Sequence, residues 1–105
     1  MLDQESVRKI VREYSDEVRK LLSPTRIILF GSYVNGKPNE LSDIDVAVLV
    51  KGYKADWNSM LTKLYGLKWY DDFTDIEPHL LDEEYDHSDF INHVINSGEV
   101  VYQAV

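Results

Sequence analysis

The sequence predicts a single domain of the α/β (α+β) class, in which helices and short strands alternate along the chain. Segments with apolar residues at helical spacing are separated by short runs rich in Ile, Leu and Val, which are typical of buried strands. The chain has 105 residues, which leaves room for one hydrophobic core and not for a second. We therefore treat residues 1–105 as one domain.

The first half of the chain predicts one long helix, a short one and two strands. Apolar side chains recur at helical spacing before Ser23 and Pro24, which end the first helix. The members of this stripe are Val7, Ile10, Val11, Tyr14, Val18, Leu21 and Leu22. Next come a predicted strand at residues 26–30, a short helical turn at 32–35 and a second strand at 43–50.

The second half continues the alternation. Apolar residues at helical spacing predict a second long helix; they are Trp57, Met60, Leu61, Leu64 and Tyr65. A third strand is predicted at residues 75–81, and Pro78 within it indicates an edge position or a bulge. A closing helix is predicted at 85–96, ended by Ser97 and Gly98, and residues 99–102 form a terminal extended piece.

Composition limits where the protein works. No apolar run approaches the roughly 20 residues of a membrane span. Asp3 and Glu5 lie near the start, where a secretory signal would have a basic segment followed by an apolar one. We therefore expect a cytoplasmic protein without membrane attachment.

Composition also limits the chemistry. There are 0 cysteines, which excludes disulfides, thiolate catalysis and the commonest structural zinc sites. Any metal must then be held by oxygen or imidazole ligands. The formal net charge of -8 repels a nucleic-acid backbone, so we expect no direct nucleic-acid binding. A small nucleotide remains possible, because Mg²⁺ neutralises its charge locally.

Two motifs carry the functional prediction. Asp43 and Asp45 flank one residue at the start of the second strand, so side-chain alternation puts them on one face, about 6 to 7 Å apart at their bases. Two carboxylates on one face can hold a pair of divalent metals for phosphoryl displacement. Upstream, Gly31 permits a tight turn and Ser32 opens a short helix whose N–H groups and hydroxyl can face phosphate. The alternative is a plain turn with a surface Asp pair that caps a loop.

This pattern resembles the minimal nucleotidyltransferases of the DNA polymerase beta superfamily: a strand, Gly-Ser, about ten residues, then Asp-x-Asp at the head of the next strand. The matching residues are Gly31-Ser32 and Asp43-Ile44-Asp45, and the flanking Phe30, Gly36 and Ser42 also agree. The resemblance implies a mixed β-sheet in the order α-β-α-β-α-β-α. It also implies two Mg²⁺ ions at Asp43 and Asp45, with ATP or another NTP held at Gly31, Ser32, Gly36 and Ser42.

The resemblance further implies a third acidic group, which serves as metal ligand and as base for the acceptor hydroxyl. Asp75 and Glu77 share one face of the third strand, and we favour Glu77 because Ile76-Glu77-Pro78 fits the family pattern. Asp75 stays open as the alternative, as does the reading of both as ordinary exposed residues. His79 lies two positions further on; contact with a phosphate or ribose is one reading of it, and we favour an ordinary polar contact.

By resemblance, the protein transfers a nucleoside monophosphate to an acceptor hydroxyl. Minimal members of the group are often paired with a small helical HEPN-type toxin, which implies such a partner, or a second copy, as the source of the acceptor site. Trp69 and Tyr70 lie outside the helical stripe and are our candidates for an interface. The rival hypothesis is a non-catalytic nucleotide-binding or antitoxin module that inhibits a partner by occlusion.

Overall fold

The computed structural model describes residues 3–36, 43–52, 56–69, 73–84 and 89–104. Helices and strands alternate along the chain, as the sequence predicts. The elements are α1 (Gln4–Leu21), β1 (Arg26–Phe30), α2 (Ser32–Asn35), β2 (Ile44–Val50), α3 (Trp57–Leu67), β3 (Ile76–Asp82), α4 (Phe90–Ser97) and β4 (Glu99–Gln103).

Two predicted elements need correction. The last helix begins at Phe90, and Asp89 before it is not helical; residues 85–88 of the predicted helix lie outside the described part of the chain. The terminal extended piece is a full strand, β4, which pairs with β1 and adds a strand to the predicted order. The other bounds agree with the prediction within about one residue.

The four strands form one mixed sheet in the order β3-β2-β1-β4. Strand β1 pairs antiparallel with β2 and with β4, whereas β2 pairs parallel with β3. Pro78 therefore lies on an edge strand, where its missing N–H removes no inner ladder bond, as predicted.

Helices α1 and α3 cover one face of the sheet. The apolar stripe of α1 buries Val7, Val11, Tyr14 and Val18, and α3 adds Met60, Leu64 and Leu67. Asp3 caps α1 by accepting a hydrogen bond from Ser6 N–H at 2.7 Å. Leu22 ends the helix in an extended conformation. Within the described residues, no helix is long and apolar enough to cross a membrane.

The second face of the sheet is packed against α4. Ile91 and Val94 of this helix form an apolar cluster with Ile28, Phe30, Ala47 and Leu49. Because side chains alternate along β2, Ile44, Val46 and Val48 point to the first face and Asp45, Ala47 and Leu49 to the second. Asp45 is thus placed on the α4 side of the sheet.

Candidate functional site

The candidate site is built on one row of residues that crosses three strands. Phe30 is the register partner of Asp45 in the antiparallel pair, and Asp45 is the partner of Glu77 in the parallel pair. Register partners share a face, so all three belong to the α4 side. The chain after Phe30 turns directly at Gly31, beside Asp45.

The predicted Gly-Ser turn is present. Gly31 has φ 82° and ψ -152°, a backbone conformation that residues with a Cβ rarely adopt. Its carbonyl accepts hydrogen bonds from Val34 and Asn35 N–H, each at 3.0 Å, which closes the first turn of α2. Gly36 ends α2 in the left-handed region with its N–H on the Ser32 carbonyl. Ser42, also predicted to bind nucleotide, lies outside the described residues.

Gly31 packs against the carboxylate of Asp45. A Cβ built on Gly31 would overlap Asp45 Oδ2 and would stand 3.2 Å from its Cγ. Glycine is therefore needed at this position for space as well as for conformation. The close approach brings one oxygen of Asp45 to the turn that the sequence predicts to hold phosphate.

The other oxygen of Asp45 is bound by His79. His79 Nε2 lies 3.1 Å from Asp45 Oδ1, and the two side chains are 32% and 28% exposed. The imidazole packs edge-on against the ring of Phe30, with centroids 5.0 Å apart. The interpretation of His79 as an ordinary polar contact overlooked that its partner is a predicted metal ligand. Alternation along β3 puts His79 on the face of Glu77, and this signal was available in the sequence.

Asp43 and Asp75 lie just outside their strands. Asp43 is exposed and directly precedes β2, two residues before Asp45. The Asp75 carbonyl accepts a hydrogen bond from Ile44 N–H at 2.8 Å, which places its backbone beside Asp43. Asp75 is exposed, like Asp43.

Glu77 lies level with Asp45 but its carboxylate is engaged by α3. Lys68 Nζ lies 3.0 Å from Glu77 Oε2, and Tyr65 OH donates to Oε1 at 3.4 Å. Tyr65 belongs to the apolar stripe predicted for α3, yet it is 41% exposed and its hydroxyl contacts Glu77. The structure brings the backbones of Asp45 and Glu77 together, and the Glu77 carboxylate is paired with Lys68 and accepts a hydrogen bond from Tyr65.

The acidic residues at the start of β2 suit a metal ion that is bound jointly by the protein and by the phosphates of a nucleotide. In the described part of the chain, no three His or acidic side chains are close enough to form a metal cage. Mg²⁺ rarely uses such a cage; it commonly binds one or two carboxylates together with substrate phosphates and water. Asp45 supplies hard oxygen donors of this kind beside the Gly31 turn. Asp43, exposed two residues before it, is a second acidic side chain at the same end of β2.

Comparison with known proteins points to one family. The family model described as "Polymerase beta, Nucleotidyltransferase" matches residues 7–104. A protein of Methanocaldococcus jannaschii named "Putative protein adenylyltransferase MJ0141" is 42% identical over 45 residues. The match covers 41% of this chain and 46% of that relative, less than half of its length.

Solved structures share the fold. The structure of "a putative nucleotidyltransferase from Sulfolobus solfataricus" superposes with a TM-score of 0.67 at 21% identity, covering 95% of this chain and 83% of that one. A structure of a toxin-antitoxin with AMP-PNP gives a TM-score of 0.53 at 23% identity, with 98% and 75% of the two chains covered. At these identities the likeness concerns the fold.

Proposed function

The chain belongs to the polymerase beta nucleotidyltransferase family, and from this premise we propose that it binds Mg²⁺ with an NTP, ATP foremost, and transfers the nucleoside monophosphate to an acceptor hydroxyl. The observation that carries the proposal is the packing of the Asp45 carboxylate against Gly31. This contact joins the two motifs of the family pattern in one place.

Each motif residue has a role in the proposal. The Gly31–Ser32 turn holds the β- and γ-phosphates, and Gly36, which ends α2, and Ser42 complete the nucleotide site. Asp43 and Asp45 hold the metal ions through their carboxylate oxygens. Mg²⁺, when bound, neutralises charge on the phosphates and aligns them for in-line displacement. The turn supplies N–H and hydroxyl donors, and the two carboxylates supply the negative charge that a cation requires.

Glu77 takes the remaining role, uptake of the proton from the acceptor. The acceptor oxygen forms a bond to the α-phosphorus, the bond from that phosphorus to the β-phosphate oxygen breaks, and pyrophosphate leaves. Glu77 is 35% exposed and lies level with Asp45, so its carboxylate is accessible from the site. For Glu77 to take up this proton, its hydrogen bonds with Lys68 and Tyr65 must weaken or break during the reaction.

We place the acceptor hydroxyl on a protein, in the cytoplasm, where ATP is available. Two comparisons support a protein partner: one relative is named a protein adenylyltransferase, and one structural neighbour is a toxin-antitoxin. A small helical HEPN-type protein fits this setting, and a second copy of the chain is the other source of an acceptor site.

One observation favours a second candidate function, a non-catalytic module that binds nucleotide or occludes a partner. The predicted base, Glu77, forms an ion pair with Lys68 at 3.0 Å. Both oxygens of that carboxylate are contacted from the end of α3, one by Lys68 and the other by the Tyr65 hydroxyl. The Glu77–Lys68 ion pair leaves Asp43 and Asp45 available to bind Mg·NTP, so a module of this kind could bind nucleotide without transferring it.

Labelled ATP distinguishes the two candidates. The protein is incubated with Mg²⁺ and the product of the neighbouring reading frame, in parallel with ATP labelled at the α- or the γ-phosphorus. Nucleotidyl transfer puts the α label on the partner and the γ label in pyrophosphate. Glu77→Gln should lower α labelling by about 10² to 10⁴-fold while Mg·ATP binding persists. Glu13→Gln on the exposed side of α1 is the matched control and should label normally.

If the unmodified protein binds Mg·ATP and labels no partner, the occlusion module replaces the transferase. Labelling from the γ position would indicate phosphoryl transfer and would contradict the proposal outright.

A further inference from the structure

Asp45 is constrained at both of its carboxylate oxygens. Oδ2 stands against the backbone of Gly31, where a side chain would overlap it. Oδ1 is 3.1 Å from His79 Nε2. An ionised carboxylate can only accept, so Nε2 carries the hydrogen and donates it. The carboxylate is thus held in one orientation relative to the Gly31 turn.

The imidazole of His79 is itself held in place by aromatic rings. Phe30 meets it edge-on at 5.0 Å between centroids with an interplanar angle of 64°, and Phe90 lies tilted against it at 6.5 Å. Phe30 and Phe90 also contact each other edge-on at 5.9 Å. Three rings from β1, β3 and α4 therefore fix the position of Nε2.

An apolar residue would serve this aromatic cluster equally well if packing were its only purpose. His79 instead places a polar, partly exposed ring beside two phenylalanines and directs its Nε2 at an acceptor. Asp45 provides that acceptor. The hydrogen-bond donor of His79 is thus directed at one specific oxygen, Asp45 Oδ1.

We propose that His79 is a positioning residue that holds Asp45 Oδ1 so that Oδ2 faces the Gly31–Ser32 turn, where the metal-bound nucleotide is placed. This inference rests on the proposed function of Asp45. Partners that orient a metal ligand typically change metal affinity or activity by about 10- to 100-fold when they are removed. His79 acts through Asp45 and touches neither metal nor substrate.

Two variants separate the hydrogen bond from the packing. His79→Phe keeps an aromatic ring beside Phe30 and Phe90 but has no donor. His79→Gln keeps an N–H donor but loses the ring. If the hydrogen bond is what matters, the glutamine variant should retain more function than the phenylalanine variant, although it packs less well. A role in packing alone predicts the opposite order.

The readout is the affinity for Mn²⁺, titrated calorimetrically in the presence of an ATP analogue with a methylene group between the α- and β-phosphorus. His79→Phe should weaken Mn²⁺ binding by about 10-fold or more with an unchanged melting temperature. His79→Gln should bind Mn²⁺ more tightly than His79→Phe while melting at a lower temperature. Should His79→Phe fail to fold, His79→Met replaces it as the variant without a donor.

Asp45→Asn, titrated in parallel, separates failure of this inference from failure of the proposed function. If Asp45→Asn loses Mn²⁺ binding while His79→Phe binds like the parent, the positioning role is wrong and the metal site stands. If Asp45→Asn also binds like the parent, the metal site itself is wrong. A fall in affinity that follows the melting temperature across the His79 variants assigns His79 to packing and overturns the inference.

Discussion

At Gly31 the chain combines an uncommon backbone conformation with its approach to Asp45. The positive φ disfavours any residue with a Cβ, and the neighbouring carboxylate leaves no volume for one. The absence of a Cβ at Gly31 therefore matters both for folding the turn and for the orientation of Asp45, a proposed metal ligand. Gly36, five residues on, shares the positive φ but has nothing within 4 Å of the built Cβ.

These two glycines form a matched pair for mutation. Gly31→Ala and Gly36→Ala both introduce backbone strain of about 1–3 kcal/mol. Gly31→Ala must in addition displace Asp45, so it should lose Mg·ATP affinity as well as stability. Gly36→Ala should lose stability with a smaller change in affinity. Urea unfolding together with nucleotide titration measures both quantities; equal losses of affinity in the two variants would contradict the role assigned to the Gly31 contact.

For single residues, side-chain alternation was sufficient to predict that Asp45 lies on the opposite face of β2 from Ile44, Val46 and Val48. It also predicted that Glu77 shares a face with His79. It could not reveal the contact between His79 and Asp45, because that contact depends on the parallel register of two strands separated by α3. The ion pair of Glu77 with Lys68 has the same origin. It requires the end of α3 to meet the edge strand, which no local pattern encodes.

Among the elements, the junction between α4 and β4 is a closely packed turn. The chain reverses at Gly98, where a Cβ would stand 2.6 Å from Val94 O and 2.9 Å from Leu29 O, in addition to overlapping Ile28 Cγ2. Gly98 has an ordinary negative φ, so space and not conformation requires glycine there. The turn lets β4 pair with β1 directly after the helix ends.

Gly98→Ala should therefore be destabilising, because the obstructing atoms include two backbone carbonyls that cannot move independently. The matched substitution is Gly66→Ala in α3, where nothing lies within 4 Å of the built Cβ. Alanine in a compatible helical position should stabilise the protein by about 0.4–1 kcal/mol. Urea titration of both variants and the parent measures the free energy of unfolding, which should fall in Gly98→Ala and rise in Gly66→Ala. A Gly98→Ala protein as stable as the parent would show that the junction relaxes easily.

The sequence predicted most elements because their apolar periodicities are strong. Helix α1 and strand β1 have the predicted extents, and Pro78 was correctly placed at an edge. The start of α4 was misjudged because the acidic stretch before it has the composition of a helix start, while the helix observed begins at Phe90. Strand β4 was predicted as an extended piece, and only its pairing with β1 makes it part of the sheet.

For the whole molecule, the order of strands could not come from periodicity. Alternating patterns identify strands but do not say which strands are neighbours, so the mixed sheet followed from resemblance to a family. The core that the sheet and helices enclose has one measurable consequence. Tyr14 of α1 is fully buried, edge-on against Phe73, with its hydroxyl 3.4 Å from the Leu64 carbonyl.

Burial raises the pKa of Tyr14 well above its ordinary value, and the charge of ionised Tyr65 adds to the shift. A raised pKa in the folded state means that the stability from neutral Tyr14 is complete below the unfolded pKa of about 10 and is lost as pH rises beyond it. The free energy of unfolding should fall between about pH 9 and 11.5, and less steeply in Tyr14→Phe. If the free energy of unfolding depended on pH in the same way in the parent and in Tyr14→Phe, ionisation of Tyr14 would not be coupled to unfolding, which would contradict this prediction.

We propose above that Asp43 and Asp45 bind a metal together with a nucleotide beside Gly31. Calorimetric titration of ATP with and without Mg²⁺ tests it most directly on the parent, Asp43→Asn and Asp45→Asn. Asp16→Asn is the control for net charge, because Asp16 lies exposed on α1, which packs on the other face of the sheet.

We predict that the parent and Asp16→Asn bind ATP when Mg²⁺ is present, and that each of the two site variants loses at least about tenfold in affinity, or ~1.4 kcal/mol, while remaining folded. Removing one of two neighbouring carboxylates should leave stability unchanged or raise it, since like charges repel in the absence of metal. Mg²⁺-dependent ATP affinity that is the same in the parent, Asp43→Asn and Asp45→Asn would contradict the assignment of the site.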